Sequence, residues 1–220
     1  MKKKLLLLAS LALAFSITAC SSSTPSAPPA QAPPAQAAPQ QSTESSAAPV
    51  EASSDLTALV EASFEGPVML TSVGQSADVN IINTLFSRSG IDSSMSNTLT
   101  ENDLGGYKTL VLAIGGSSKG LGAAGIDENQ ELARVSALIE KAKADGIRIL
   151  AMHIGGSARR GVLSDMFIPN SIENADAAII LSEGDTDNLM RDILVSKGIP
   201  TEYIETQIDS LEPIKILFGK

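Results

Sequence analysis

Residues 107–114, YKTLVLAI, form a continuous apolar run that stops at a pair of glycines, and the pattern recurs along the chain. Residues 147–154, IRILAMHI, run into Gly155-Gly156, and residues 177–181 run into Ser182-Glu183-Gly184. Residues 67–74, PVMLTSVG, end on a glycine of their own. Short apolar runs bounded this way suit strands buried on both faces, as in a parallel sheet covered by helices. Between them lie segments with helical spacing. Over 76–89, Val79, Ile82, Leu85 and Phe86 share one face, and Gly90 closes the segment. Asp127 opens a second helix with Gln130 in capping-box position, Leu132, Val135, Leu138 and Ile139 as its buried stripe, and Gly146 after its end. A third begins at Asp185 or Thr186, passes through Met190, Ile193 and Leu194, and stops at Gly198-Ile199-Pro200. A short strand near Tyr203 and a helix from about Asp209 to Phe218 complete the chain, and residues 91–99 supply a weak second strand.

Strands that alternate with helices require right-handed crossovers and a mostly parallel sheet with helices on both faces. The expected fold is therefore α/β: a three-layer αβα sandwich on a five- to six-stranded, flavodoxin-like sheet ordered 2-1-3-4-5, with the last short strand extending the edge after strand five. No internal repeat occurs, and a single α/β domain is expected over residues 55–220.

The N-terminus carries an address. Met1-Lys2-Lys3-Lys4 is a basic start, and Leu5 to Ile17 is apolar except for Ser10 and Ser16, as in a secretory signal. Ile17-Thr18-Ala19-Cys20 resembles the lipobox of bacterial lipoproteins, in which an aliphatic and two small residues precede an acylated cysteine. That resemblance implies a signal peptide over 1–19, a diacylglyceryl thioether on Cys20, and an extracytoplasmic chain held to the bilayer by its acyl groups. The holding membrane is the cytoplasmic membrane's outer face, or the outer membrane of a Gram-negative cell. An ordinary cleavable signal with a chance cysteine is the plainer alternative. Residues 21–54 hold 7 of the chain's 11 prolines, no glycine and two charges, and are expected to be a disordered Pro/Ala/Ser/Gln-rich tether.

Composition narrows the function. Cleavage after residue 19 removes three lysines, moving the net charge from −9 to −12. Nucleic-acid binding, which needs a basic footprint, is not expected. Cys20 is the only cysteine and His153 the only histidine, so neither a disulfide nor a Cys/His metal site can form within the chain. No Walker-type loop occurs, no dinucleotide fingerprint follows the first strand, and no cofactor is expected.

In an open parallel sheet, ligands bind beyond the strand C-termini, at the switch point between strands one and three. The segments there are Gly74-Gln75-Ser76-Ala77-Asp78, then Gly115-Gly116-Ser117-Ser118-Lys119-Gly120, then His153-Ile154-Gly155-Gly156-Ser157-Ala158-Arg159-Arg160. Together with Gly122, Gly125, Gly161 and Gly184 they hold ten of the 17 glycines. Glycines admit close approach of backbone N–H groups, serines add hydroxyls, and Lys119, Arg159 and Arg160 add positive charge to an acidic protein. A small anionic ligand suits that set. Alternatively, the glycines only end tight turns and the arginines only face solvent.

Gly116-Ser117-Ser118-Lys119-Gly120 also matches G-x-S-x-G, which would make Ser118 a nucleophile and His153 its base. A nucleophile elbow needs an immediate helix, whereas a glycine-rich loop is expected here up to Asp127, and no acid is evident to orient His153. Ligand contact is the favoured role for His153.

The segments TSVGQSADVNII, YKTLVLAIGGSSKGLGAAGID and AMHIGGSARRGVLSD together resemble an uncharacterised family of bacterial lipoproteins, domain of unknown function 6305. The resemblance covers most of residues 66–218 and implies an extracytoplasmic α/β domain, with no assigned reaction or site. Three roles stand at this point. The leading one is a lipoprotein that binds a small anionic metabolite, with a membrane transporter as candidate partner. The others are an envelope hydrolase or esterase using Ser118 and His153, and an envelope scaffold.

Overall fold

The computed structural model describes residues 55–220; the expected signal peptide, Cys20 and tether lie outside the described residues. Six strands, β1 (Val68–Val73), β2 (Ser93–Met95), β3 (Thr109–Ile114), β4 (Arg148–His153), β5 (Ala177–Leu181) and β6 (Thr201–Ile204), form one sheet ordered β2-β1-β3-β4-β5-β6. Every pairing is parallel. The expected order is observed, with β6 extending the edge.

The α-helices are α1 (Asp78–Arg88), α2 (Ser118–Ala124), α3 (Glu128–Ala144), α4 (Val162–Asp165), α5 (Ile168–Glu173), α6 (Leu189–Lys197) and α7 (Leu211–Phe218). Strand periodicity divides the core in two, because successive side chains point to opposite faces. Leu110, Leu112 and Ile114 pack with Val135, Leu138 and Ile139 of α3, Ile168 and Ile172 of α5, and Met190 and Leu194 of α6. Val111 and Ala113 pack on the other face with Val79, Ile82 and Phe86 of α1 and Ile214 and Leu217 of α7. Leu110, Leu112 and Leu150 are fully buried, each contributing roughly 1.5–3 kcal/mol relative to an exposed side chain. This is a three-layer αβα sandwich.

Register sets up the site. Val73 lies beside Ile114 and Ala113 beside Met152, so β1, β3 and β4 end nearly level and release their loops side by side. The capping box at Asp127 forms as expected, Gln130 N–H donating to Asp127 Oδ1 at 2.8 Å and Asp127 N–H to Gln130 Oε1 at 2.9 Å.

Three segments differ from the sequence reading. The glycine-rich stretch after β3 is not a loop: α2 begins at Ser118, because Ser117 Oγ accepts from Gly120 N–H at 3.0 Å and caps its first turn. Two helices, α4 and α5, occupy residues between β4 and β5 where none was expected. Phe167, Ile168 and Ile172 drive their docking by burial. Helix α6 starts at Leu189, later than expected, yet Asp185 still serves its N-terminus, its carboxylate accepting from Met190 and Arg191 N–H at 2.8 Å.

Candidate functional site at the strand C-termini

The β1–α1 loop is built around a buried carboxylate. Glu131, on the first turn of α3, is fully buried and accepts from Gly74 N–H at 2.9 Å and from Gln75 Nε2 at 3.1 and 3.2 Å. Arg134 neutralises it through Nε and a terminal nitrogen, both at 2.8 Å. The same guanidinium donates to the carbonyls of Ser72 and Leu99. A buried carboxylate is tolerated only when paired and hydrogen-bonded, and Glu131 is both. This network holds Gln75 in left-handed backbone conformation, φ 60°, where it bridges Gly116 across the switch point. Gly74 is required there twice over: its φ is 92°, and a Cβ would sit 2.7 Å from Gly115 O. Gly120 is likewise an approach point for backbone, since a Cβ on it would meet Gln75 O at 1.9 Å.

Arg159 covers the centre of the switch point. A Cβ on Gly115 would meet its Cδ at 2.9 Å, and one on Gly155 its Cγ at 2.0 Å. Its Nε donates to Asp78 Oδ2 at 2.9 Å, Asp78 being buried at the start of α1. Ser76 Oγ accepts from Asp78 N–H in the same turn. Nε accounts for the only side-chain hydrogen bond of Arg159 among the described residues, so its two terminal nitrogens meet no protein acceptor there. Arg160 is the reverse case. It donates to Asp165, to Asp187 and to Gly184 O, and so ties its own loop to α4 and to the β5–α6 connection. Those carboxylate bonds raise the Arg160 pKa, and the same ion pair holds exposed Asp187 down to about 2.

His153 ends β4 fully buried, 3.0 Å from Arg159 O through Nε2. A carbonyl can only accept, so Nε2 carries the hydrogen. Nδ1 is then an acceptor, and it has no partner among the described residues. Burial, the largest cause, lowers the pKa below the ordinary imidazole value, so the ring is neutral at pH 7. It packs against Gly184, where a Cβ would lie 2.7 Å from Nδ1. Gly156 is buried in the following turn, and Ser157 beside it donates to Glu183 at 2.5 Å.

Ser118 and Lys119 are exposed on the first turn of α2. No hydrogen bond joins Ser118 to His153 among the described residues, and Nε2 of His153 is occupied by Arg159 O. The structure therefore brings together Gly74, Gln75, Ser76, Gly115, Gly155, Arg159 and His153, with Gly116 and Gly120 packed behind them. It leaves Lys119 and Ser118 outward and commits Arg160 to neighbouring loops.

Two cavities lie away from the strand-end site. One of about 580 Å³ opens by the N-terminal ends of β1 and β2, beside Phe64, Val68 and Phe218. Another of about 500 Å³ runs along the β6 edge. Among the described residues no cluster of three or more His, Cys, Asp or Glu is placed to hold a metal, and no helix is long and apolar enough to cross a membrane.

Sequence reasoning placed Asp78 in the segment after strand one without giving it a role, and missed Glu131 and Arg134. Glu131-x-x-Arg134 is an i,i+3 charge pair on the face of α3 adjoining the buried stripe, a detectable signal had its burial been foreseen. Ser164, whose Oγ accepts from Gly116 N–H at 3.0 Å, left no such sign.

The fold and this strand-end crossing define the chain as a doubly wound parallel α/β domain whose switch point is closed by an arginine–aspartate pair. The chain belongs to the family described as domain of unknown function DUF6305, whose model matches residues 65–218. Neither a curated protein nor a solved structure matches it significantly.

Proposed function

We propose that the chain is a lipid-anchored extracytoplasmic protein whose α/β domain binds a small anionic ligand at the strand C-termini, through Arg159. One observation carries the binding reading. Arg159 lies over the β1–β3 switch point with Nε engaged by Asp78 and both terminal nitrogens without a protein acceptor among the described residues. A guanidinium presents its donors as a planar fork suited to a carboxylate or phosphate, and the Asp78 bond fixes the plane of that fork. Ser76 and the glycine-lined loops lie in the same crossing. The anchoring reading rests on the lipobox-like Ile17-Thr18-Ala19-Cys20.

Thermal unfolding of the full chain with inorganic phosphate and with small mono- and dicarboxylates tests the binding. The expected result is stabilisation lost in Arg159→Gln and kept in Arg160→Gln. Equal stabilisation in wild type and Arg159→Gln would overturn it. Incorporation of an alkyne-tagged palmitate in living bacteria tests the anchor, with loss of label expected in Cys20→Ser.

A further inference from the structure

Strand β6 is an edge of the sheet, and only its beginning is covered. Thr57 forms an isolated parallel bridge with Pro200, and its carbonyl accepts from Thr201 N–H at 2.8 Å. Alternate residues of a parallel strand direct their backbone polar groups to the same side, so Tyr203 turns its N–H the way Thr201 does. That N–H has no acceptor among the described residues. The covering segment has already left the edge, and Ala58 and Leu59 line the far side of a groove of about 500 Å³.

The groove has a definite chemical character. Leu59, Ile204, Pro213 and Ile216 give it an apolar lining, with Ile216 still 38% exposed. Glu202, Glu205, Asp209 and Glu212 are its charged residues, all exposed, and no lysine or arginine lines it. Two of these acids have local duties: Glu205 accepts from Ser182 Oγ, and Asp209 closes the capping box of Thr206. Glu202 is in no ion pair among the described residues, and Glu212 meets Lys215 only at 3.5 Å.

An unpaired strand edge is a template for another strand, and natural proteins protect such edges with charge. Here the charge has one sign. It repels a second copy of this acidic chain and attracts a basic segment. We propose that the β6 edge and its groove form a docking site for an extended, basic peptide segment of a partner protein, which adds beside β6 by backbone hydrogen bonding. Its apolar residues fill the groove between Leu59 and Ile216, and its lysines or arginines meet Glu202 and Glu212. None of the strand-end residues takes part, so this inference is independent of the anion site.

The test is fluorescence anisotropy of the full chain with a labelled peptide of about ten residues alternating lysine and valine. Two controls are its glutamate-for-lysine counterpart and the basic peptide N-methylated at every amide. Binding of the unmodified basic peptide alone is expected, weakened about tenfold or more in the Glu202→Lys/Glu212→Lys double variant. No binding up to about 1 mM would overturn the proposal. So would equal binding of the N-methylated peptide, which lacks strand donors, or an unchanged affinity in the double variant. Dimerisation of the chain alone that is lost in the same variant would assign the edge to a second copy instead.

Discussion

Arg159 donates Nε to Oδ2 of Asp78 at 2.9 Å, and so joins the loop after β4 to the first turn of α1, 81 residues earlier in the chain. The Asp78 side chain is 9% exposed and that of Arg159 28%. Removing either partner therefore leaves a partly buried charge uncompensated. Arg159→Ala and Asp78→Ala should each lower stability by about 1–3 kcal/mol in urea unfolding. The double variant should lose less than the sum of the two. Strict additivity would show that the contact contributes nothing.

Glu131 is a harsher case, since it is fully buried and serves Gly74, Gln75 and Arg134 together. Glu131→Ala strands the guanidinium of Arg134 and two amide donors, and should cost about 3–5 kcal/mol. The measurement is the denaturant midpoint at unchanged slope. A loss below about 1 kcal/mol would mean that Arg134 finds other acceptors.

Two glycines of α2, two residues apart, should respond in opposite directions. Gly120→Ala forces a Cβ to 1.9 Å from Gln75 O, and nothing but backbone movement relieves it, so a loss of about 1–3 kcal/mol is expected. Gly122→Ala meets no atom within 4 Å and should stabilise the helix by up to about 1 kcal/mol. Paired thermal melts of the two variants check this.

His153 couples stability to pH. Its pKa is lowered in the folded chain from the ordinary 6.5, chiefly by burial. As pH falls below that value the unfolded chain takes up a proton that the folded chain resists. The stabilisation is thus complete above about pH 6.5 and is lost as pH falls toward the folded-state pKa. Denaturation series from pH 7.5 to 5 should show wild type losing stability more steeply than His153→Gln. Parallel curves would show that the ring is free to protonate in the native state.

The sheet was legible because parallel strands covered on both faces leave unbroken apolar runs, and 109–114, 148–153 and 177–181 could hardly be anything else. Strand β2 was faint for the converse reason: Ser93, Ser94 and Met95 sit at an edge, partly or fully exposed, and β1 is their only neighbour in the sheet. Helix α2 was hidden by Gly120 and Gly122 within it and Gly125 at its C-cap, whose composition reads as loop. Tertiary contact between Gly120 and Gln75 overrides that propensity. At the strand ends, position was readable and partnership was not. The adjacent Arg159 and Arg160 look equivalent in sequence, yet acids brought in from Asp165 and Asp187 saturate one, while the other meets Asp78 alone. Asp187 and Asp78 lie 27 and 81 residues from their arginines, and partners at that range leave no spacing rule to find.

The packing of Arg159 over Gly115 and Gly155 has a consequence for how relatives of this chain can diverge. At neither glycine is there room for a side chain while the arginine lies where it does. Loss of the arginine relieves the closest contacts at Gly115, whereas at Gly155 the Asp78 carboxylate, 2.6 Å from an added Cβ, still stands in the way. Positions 78, 115, 155 and 159 should therefore change in concert across the family, and a relative with a side chain at 155 should have exchanged both its arginine and its aspartate. Covariation at these sites would record a shared steric constraint and would be visible with no ligand known.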